Sequence, residues 1–464
     1  MRYGLLFCAL LAGCTVGPDY VRPKMHAPAA YKEWASANPG DSVPRGKWWE
    51  TFQDPVLNGL EEQVNISNQN IRAAEAQYRQ ALANADAARA ALYPTLNANV
   101  QGTRSQYSAL VPLSNPTQSI SGSTRTLYAM GLNASWEPDL WGGIRRSIEA
   151  GTANAEASGK NLESVRLSTR ATLAQDYFLL RVSDDDIALL DRVTENYGHY
   201  LRIVKNQYHA GYASSASVDQ AQTQLESARS QAIDLRLARA QYEHAIAALL
   251  GKAPAEFSIK PVKMTYRIPE IPVGIPSQLL QRRPDIAESE RLVAAANAQI
   301  GVAKSAFFPS LSISPTAGYQ STSFASWVTA PMRTWSLGPA LAQTLFNGGL
   351  TRAQTNSAIA AYDAAVANYR QTVLSGFQEV EDNLAAQHIL AGEAKADRAS
   401  ADFAKKSLDV AINQYRAGTV SYLNVITAQA SELASEKVEM DLTGRRMTAC
   451  VTLIKAIGGG WGVD

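Results

Sequence analysis

Residues 144–212 read IRRSIEAGTANAEASGKNLESVRLSTRATLAQDYFLLRVSDDDIALLDRVTENYGHYLRIVKNQYHAGY, and no proline interrupts the chain between Pro138 and Pro254. The apolar positions Leu173, Tyr177, Leu180, Ile187, Leu190, Tyr197, Leu201, Val204 and Tyr208 keep near-helical steps. The pattern predicts one helix from Gly143 to His209, and at ~1.5 Å per residue it would be about 100 Å long. An amphipathic stripe of that length has to be covered by partners along all of it.

The flanking sequence supplies them. Ala210-Gly211-Tyr212 is a turn with a glycine suited to a helix C-cap, and a helix follows from Ala216 to Leu250, ending at Gly251. Before the long helix, an alanine-rich helical stretch from Asn58 to Leu92 stops at Tyr93-Pro94. Leu96, Ala98 and Val100 then alternate with Asn97, Asn99 and Gln101, which is strand spacing. A loop from Ser105 to Arg125 leads to Tyr128, Met130, Leu132, Ala134 and Trp136, the second strand of a hairpin. Pro254, Pro261, Pro269, Pro272 and Pro276 mark a linker.

The whole pattern then recurs. Ala91-Leu92-Tyr93-Pro94-Thr95-Leu96 returns as Ala306-Phe307-Phe308-Pro309-Ser310-Leu311, Gly142-Gly143 with Arg146 returns as Gly348-Gly349 with Arg352, and Gln207-Tyr208-His209-Ala210-Gly211 returns as Gln414-Tyr415-Arg416-Ala417-Gly418. The second half is therefore helix, hairpin, long helix, turn and helix again. Short helices at 58–92 and 216–250 would together span the long helix of the first half. Those at 276–307 and 421–456 would do the same for the long helix 350–416. Two short helices stacked end to end beside each long one is the expected architecture.

The second hairpin places Leu311, Ile313, Pro315, Ala317 and Tyr319, then Trp335, Leu337, Pro339 and Leu341, at alternate positions. With Tyr128, Trp136, Phe324 and Trp327 in or beside the strands, both hairpins fit lipid on one face and water on the other. A hairpin packed on a soluble core is the competing reading. Four strands cannot close a barrel and open edges are not tolerated in lipid, so membrane-spanning strands would have to be pooled among copies. Three copies would supply twelve.

Composition leaves the partner class open, with 43 basic and 42 acidic side chains and a net charge of +1, and it gives no argument for nucleic acid. Mean hydropathy is -0.18, and past the leader no apolar run is long enough for a transmembrane helix. Arg2, the run Leu5–Leu11, and Ala12-Gly13-Cys14 have the three regions of a secretion signal. Leu11-Ala12-Gly13-Cys14 also reads as a bacterial lipobox, which would make Cys14 the acylated first residue; a plain signal peptide with an incidental cysteine is the alternative. Thr15, not aspartate, follows, which favours the outer membrane over the inner. Cys450 is then left without a disulfide partner and reads as a buried small residue. Residues 15–47 form a proline-bearing tether that Trp48-Trp49 and Phe52 would dock onto the body.

Enzymatic signatures are lacking: there is no G-x-S-x-G, P-loop, H-E-x-x-H or C-x-x-C. Asp184-Asp185-Asp186 is the densest carboxylate run, and a solvated helix face is the expected role, since no His or Cys stands at ligand spacing. No metal site and no cofactor is expected beyond the lipid.

Five motifs in register make the chain resemble the TolC-type outer-membrane factors, in their lipidated OprM-like branch. They are Cys14-Thr15-Val16-Gly17-Pro18-Asp19-Tyr20, Trp48-Trp49 with Phe52 and Asp54-Pro55, Trp136-Glu137-Pro138-Asp139-Leu140-Trp141-Gly142, Leu279-Leu280-Gln281-Arg282-Arg283-Pro284-Asp285-Ile286, and Ala306 to Leu311. The resemblance implies a mainly α fold with a small β part. Coiled-coil helices would form a periplasmic α-barrel, and two β-hairpins per chain would give four strands to a trimeric twelve-stranded outer-membrane barrel. It implies a signal peptide at 1–13, a lipidated tether at 14–57, repeats at 58–252 and 276–458 joined by an equatorial linker at 253–275, and a tail at 459–464. Cys14 would carry diacylglycerol and an N-acyl chain. The partners implied are a periplasmic adaptor and an inner-membrane pump of the RND type, with outer-membrane lipid around the barrel. The function implied is a passive exit duct for drugs or other small toxic molecules, contributing to antibiotic resistance. A protein-secretion duct of the same fold and, further off, a periplasmic helical adaptor are the alternatives. The periplasmic gate would lie at the tip turns, Gly211 and Gly418. Tyr415 matches the family's latch tyrosine; Asn424 and Thr427 stand where acidic residues are usual, and Ser217 with Asp219 occupies the partner position across the repeat. That departure would replace a carboxylate ring by neutral hydrogen bonds.

Overall fold

The computed structural model describes residues 15–28, 30–32, 46–106, 124–263, 268–269, 271 and 282–459. The expected signal peptide, Cys14, part of the tether, the 107–123 loop, much of the linker, Leu279 to Gln281 and the end of the tail lie outside them. Seven α-helices are described: α1 Pro55–Ser67, α2 Gln69–Ala90, α3 Gly143–His209, α4 Ser215–Leu249, α5 Pro284–Ser305, α6 Leu350–Arg416 and α7 Tyr422–Ala456. The strands are β1 Thr95–Gln106, β2 Thr124–Ser135, β3 Ser310–Ile313, β4 Thr316–Ser321, β5 Arg333–Ser336 and β6 Pro339–Ala342. They fall into two compact units, each drawing on both sequence repeats. One combines the described residues up to Pro23 with Arg79–Ala157 and Glu290–Asn368, and the other takes the rest.

Both long helices have the bounds their periodicity predicts, and each is 67 residues long. Their short partners differ from expectation. The helix expected at 58–92 is two helices, because Asn68 adopts an extended backbone at φ -65° and ψ 127° between them. Its side chain explains the break. Asn68 Oδ1 accepts from the amides of Asn70 and Ile71 at 2.9 and 3.0 Å, capping the start of α2. Its Nδ2 donates at 2.7 Å to the carbonyl of Leu249, the last residue of α4. One amide thus joins the C-terminus of α4 to the N-terminus of α2, so that 22 and 35 residues stand in series. Gly251, at φ +64°, lets the exit from α4 pass under Ser67, whose carbonyl would be 2.5 Å from any Cβ there.

The second repeat makes the same joint with different chemistry. α5 begins at Pro284, after Arg283 leaves the helical conformation, with proline at its first position where an amide hydrogen is not needed; the expected start at Pro276 lies outside the described residues. Arg283, immediately before it, donates Nη1 to the carbonyl of Ala456, the last residue of α7, at 2.9 Å. Asp285 grips the same guanidinium through two bonds of 3.0 and 2.6 Å, and Glu379 through one of 2.6 Å. Again 22 and 35 residues are in series.

The released helix α1 packs into the core of this unit. Trp48, Trp49 and Phe52 are buried there with Leu57, Tyr177, Phe178, Ile246 and Cys450, as expected of the docking motif and of the lone cysteine. Asp54 caps α1 through the amides of Val56 and Leu57, and its other oxygen accepts from the Tyr177 hydroxyl at 2.6 Å. Asp184, Asp185 and Asp186 are a correction: they are buried, not solvated. Arg181 and Arg239 both bond Asp184, which compensates its burial. Asp186 has a carboxyl pushed up to about 7 by burial, with the Asp441 charge adding to it.

Glu61, on α1, is fully buried, and neither of its oxygens has a hydrogen-bond partner among the described residues. Burial lifts its carboxyl to about 9, against a smaller downward pull from Arg170. The folded chain therefore holds the acid form, and folding takes up a proton between the ordinary glutamate value and about 9. Its stability contribution is full at low pH and is lost as pH rises through that interval. Glu61→Gln should flatten the pH dependence of thermal unfolding and raise the midpoint by several degrees in alkaline buffer, with little change in acid; an unaltered slope assigns the dependence elsewhere. Asn68→Ala should cost about 1–2 kcal/mol in unfolding experiments, because cap and splice are lost together.

Candidate membrane wall and tip gate

The junction between helices and strands is built from the tryptophan motif. Trp136 donates its indole N–H to the Leu92 carbonyl at 2.9 Å, and Trp141 donates to Pro309 at 2.7 Å while stacking on Phe308 with centroids 4.8 Å apart. Asp139 caps α3 by accepting from the amides of Ile144 and Arg145 and pairs with the Arg145 guanidinium at 3.0 Å. Gly142, at φ +80°, makes the turn into α3. Residues 15–20 lie along this junction as a strap. The Val16 amide bonds the Trp141 carbonyl, Gly17 packs against Gly301, and buried Arg146 donates to Val16, Gly17 and Asp19.

Four strands form a sheet in the order β1-β2-β4-β5, with β3 and β6 paired separately, so that each expected strand of the second hairpin is divided in two. The second hairpin is thus not the single ladder its alternation predicts: Pro315 has no N–H to donate, and the pairing is interrupted there. Instead β2 pairs with β4, welding both hairpins into one sheet. Gly131 and Gly318 face each other in that pairing, and a Cβ on Gly318 would be 2.2 Å from the Met130 carbonyl oxygen.

Register assigns the faces. Val100, Met130 and Tyr319 share one rung, and Ala98, Leu132, Ala317 and Trp335 another. All of these side chains are on one side. The other carries Asn97, Asn99, Gln101, Asn133, Thr316, Gln320 and Thr334. The apolar side is uncovered: Leu96, Val100 and Trp335 are 69%, 73% and 74% exposed. Among the described residues no core packs on it. Aromatic side chains bracket the sheet, with Trp136, Trp141 and Phe308 where the helices attach and the trio Tyr128, Phe324 and Trp327 at the far end, 5.4 to 5.9 Å between centroids.

In the other unit, the ends of α3, α4, α6 and α7 pack around Tyr197, Leu201, Val204, Ala221, Leu225, Tyr422, Val425 and Ile426. Gly211 and Gly418 end the long helices at φ +80° and +74°. The Tyr415 hydroxyl donates to the Gln207 side-chain oxygen, and its ring meets buried Tyr422 at 5.4 Å. Burial raises the Tyr415 phenol above its ordinary value and the Gln207 bond lowers it, so the neutral donor is the form present. Ser217 bonds Ser214 within the cap of α4. Asn424 and Thr427 are exposed on α7, Thr427 bonding back to the Leu423 carbonyl, and Asp219 is exposed on α4. None of these four bonds Tyr415 among the described residues. Gln207, which does, lies inside the repeated Gln-Tyr-x-Ala-Gly motif. Symmetry is broken here, because Tyr208, the counterpart of Tyr415, is half-exposed and rests on His209.

The family model described as outer membrane efflux protein matches residues 60–252 and 275–459. The chain belongs to the outer membrane efflux protein family. The cation efflux system protein CusC of Escherichia coli O6:H1 is 30% identical over 464 residues, 98% of this chain and 98% of its own length. The probable outer membrane lipoprotein SilC of Salmonella typhimurium is 29% identical over 97% of each chain. A solved structure of the outer-membrane channel OprN superposes with a TM-score of 0.89 at 29% identity, covering 97% of this chain and 100% of that one. The protein is an outer-membrane efflux channel with the TolC-like fold.

Gln207→Ala and Tyr415→Phe should each loosen the second tip turn by about 1 kcal/mol, read as faster amide exchange from Tyr415 to Thr419. The double variant should be no worse than either single one, because both delete the same bond.

Proposed function

We propose that three copies of this chain close a twelve-stranded barrel in the outer membrane and form a passive exit duct for small toxic molecules. The reading rests above all on the sheet, which among the described residues has one uncovered apolar face and two edge strands without a further partner, β1 and β5. An open edge in hydrocarbon leaves backbone groups unpaired, and copies that share edges remove that cost. The two aromatic groups at the ends of the sheet would sit at the two membrane boundaries. A lipid on Cys14, diacylglycerol with an N-acyl chain, would anchor the strap at the inner of these levels; the relative SilC is named a probable outer membrane lipoprotein.

The duct would receive its cargo from a periplasmic adaptor and an inner-membrane pump of the RND type, and it would perform no covalent step. CusC is named for cation efflux, and among the described residues no cluster of His, Cys, Asp and Glu could hold a metal ion. The wall is therefore read as a conduit whose cargo is chosen by the pump. The gate is the tip, where Tyr415 is the latch and Gln207 its acceptor, in place of the acidic residues usual where Asn424 and Thr427 stand, with Ser217 and Asp219 at the partner position across the repeat.

Outer membranes should yield a heat-labile oligomer of this chain, and Tyr415→Phe should raise its conductance severalfold in planar bilayers. Unchanged conductance removes Tyr415 from the latch, and a chain found in the inner membrane overturns the duct.

A further inference from the structure

The chain carries 42 acidic residues, yet none falls between Ala87 and Trp136 or between Leu292 and Tyr362. Both strand-forming segments are therefore free of carboxylates. Their charged side chains, from Thr95 to Ser135 and from Ser310 to Asn347, are Arg104, Arg125 and Arg333. Arg104 and Arg125 sit at the end of the sheet away from the helices, and Arg333 is at the end of β5 away from them, level with Val100 of β1. Arg104 is opposite Thr126, Arg125 is opposite Ser105, and Arg333 opens β5 opposite Tyr319. The nearest acidic residues along the chain, Glu137 and Asp139, are at the helix end, where Asp139 is already engaged with Arg145. Among the described residues none of the three arginines makes an ion pair or a hydrogen bond through its side chain, and all three are exposed.

Strand alternation divides them. Arg104 has the parity of Leu96 and Val100, and Arg333 shares the rung of Val100, Met130 and Tyr319, so both stand on the apolar face. Arg125 has the parity of Asn97 and Gln101 and stands on the polar face. Between the two outward arginines, on the same face, lies Tyr128 with Phe324 and Trp327 against it. A guanidinium beside hydrocarbon is costly unless an anion reaches it, and these segments contain no carboxylate to do so.

We propose that this outer rim is a binding site for the phosphorylated headgroup of a lipid in the outer leaflet. Arg104 and Arg333 supply forked donors that match phosphate oxygens, and the aromatic trio seats the boundary between headgroup and acyl chains. The site rests on the barrel reading, in which β5 of one copy lies beside β1 of the next, so that the two arginines serve one ligand across the joint. Arg125, facing water, takes no part.

The test uses channel purified from outer membranes in detergent, titrated with diphosphoryl lipid A and with the same lipid after phosphatase treatment, and read by native mass spectrometry. Wild type and Arg125→Gln should prefer the phosphorylated lipid by about tenfold, and Arg104→Gln with Arg333→Gln should abolish that preference. Inorganic phosphate should not displace the lipid. Equal binding of the two lipids to wild type, an equal loss in Arg125→Gln, or displacement by inorganic phosphate overturns the proposal. The heat-labile oligomer is followed in each preparation: its absence in wild type removes the barrel reading and this site with it, whereas an oligomer without phosphate discrimination removes this site alone.

Discussion

Two helix ends meeting at one side chain set the terms for the rest of this molecule. A 67-residue helix needs cover along all its length, and each repeat supplies it as two helices in series. Where they meet, the last carbonyls of one and the first amides of the other would be orphaned. Asn68 meets both needs with one amide group, accepting from α2 and donating to α4. In the second repeat Arg283 answers the carbonyl end, and Pro284 removes one of the amides that would otherwise need an acceptor. Without such splices the short helices would be free to slip along the long ones, and neither the strand junction nor the tip would hold its register.

The repeats share geometry and differ in chemistry. An amide in one joint is matched by a guanidinium held by Asp285 and Glu379 in the other. At the tip, the same Gln-Tyr-x-Ala-Gly motif yields a tyrosine that bonds across to the first repeat and another that lies half-exposed. The repeated frame is symmetrical, and the hydrogen bond across it at this end is made by the tyrosine of the second copy of the motif.

Much of this frame was legible in the sequence, because long uninterrupted 3.6-residue periodicity and period-two alternation are local signals. The bounds of α3 and α6, the docking of Trp48 and Trp49, and the burial of Cys450 followed from such signals. What escaped depended on partners distant in sequence. Asn68 looks like an ordinary helical residue until Leu249 is placed beside it. Asp184 to Asp186 read as a surface run because Arg239, one of the arginines that pairs with Asp184, is 55 residues away. Gln207 was visible as part of a repeat, but its acceptor role needed the second long helix. The pairing of β2 with β4 was likewise hidden, since nothing local says which strand a hairpin will take as its neighbour.

The strap of residues 15–20 gives the N-terminus a part in the wall. Arg146 is buried at the head of the long helix, and its anions and carbonyls come from Val16, Gly17, Asp19 and Glu149. With the strap displaced, Arg146 would lose three of the four residues it donates to and keep only Glu149. Gly17 and Gly301 permit this seating by bringing two backbones together where no side chain fits. The segment 15–20 is therefore a fitted piece of the structure, and seating it is a step in building each copy, not a leash added to a finished one.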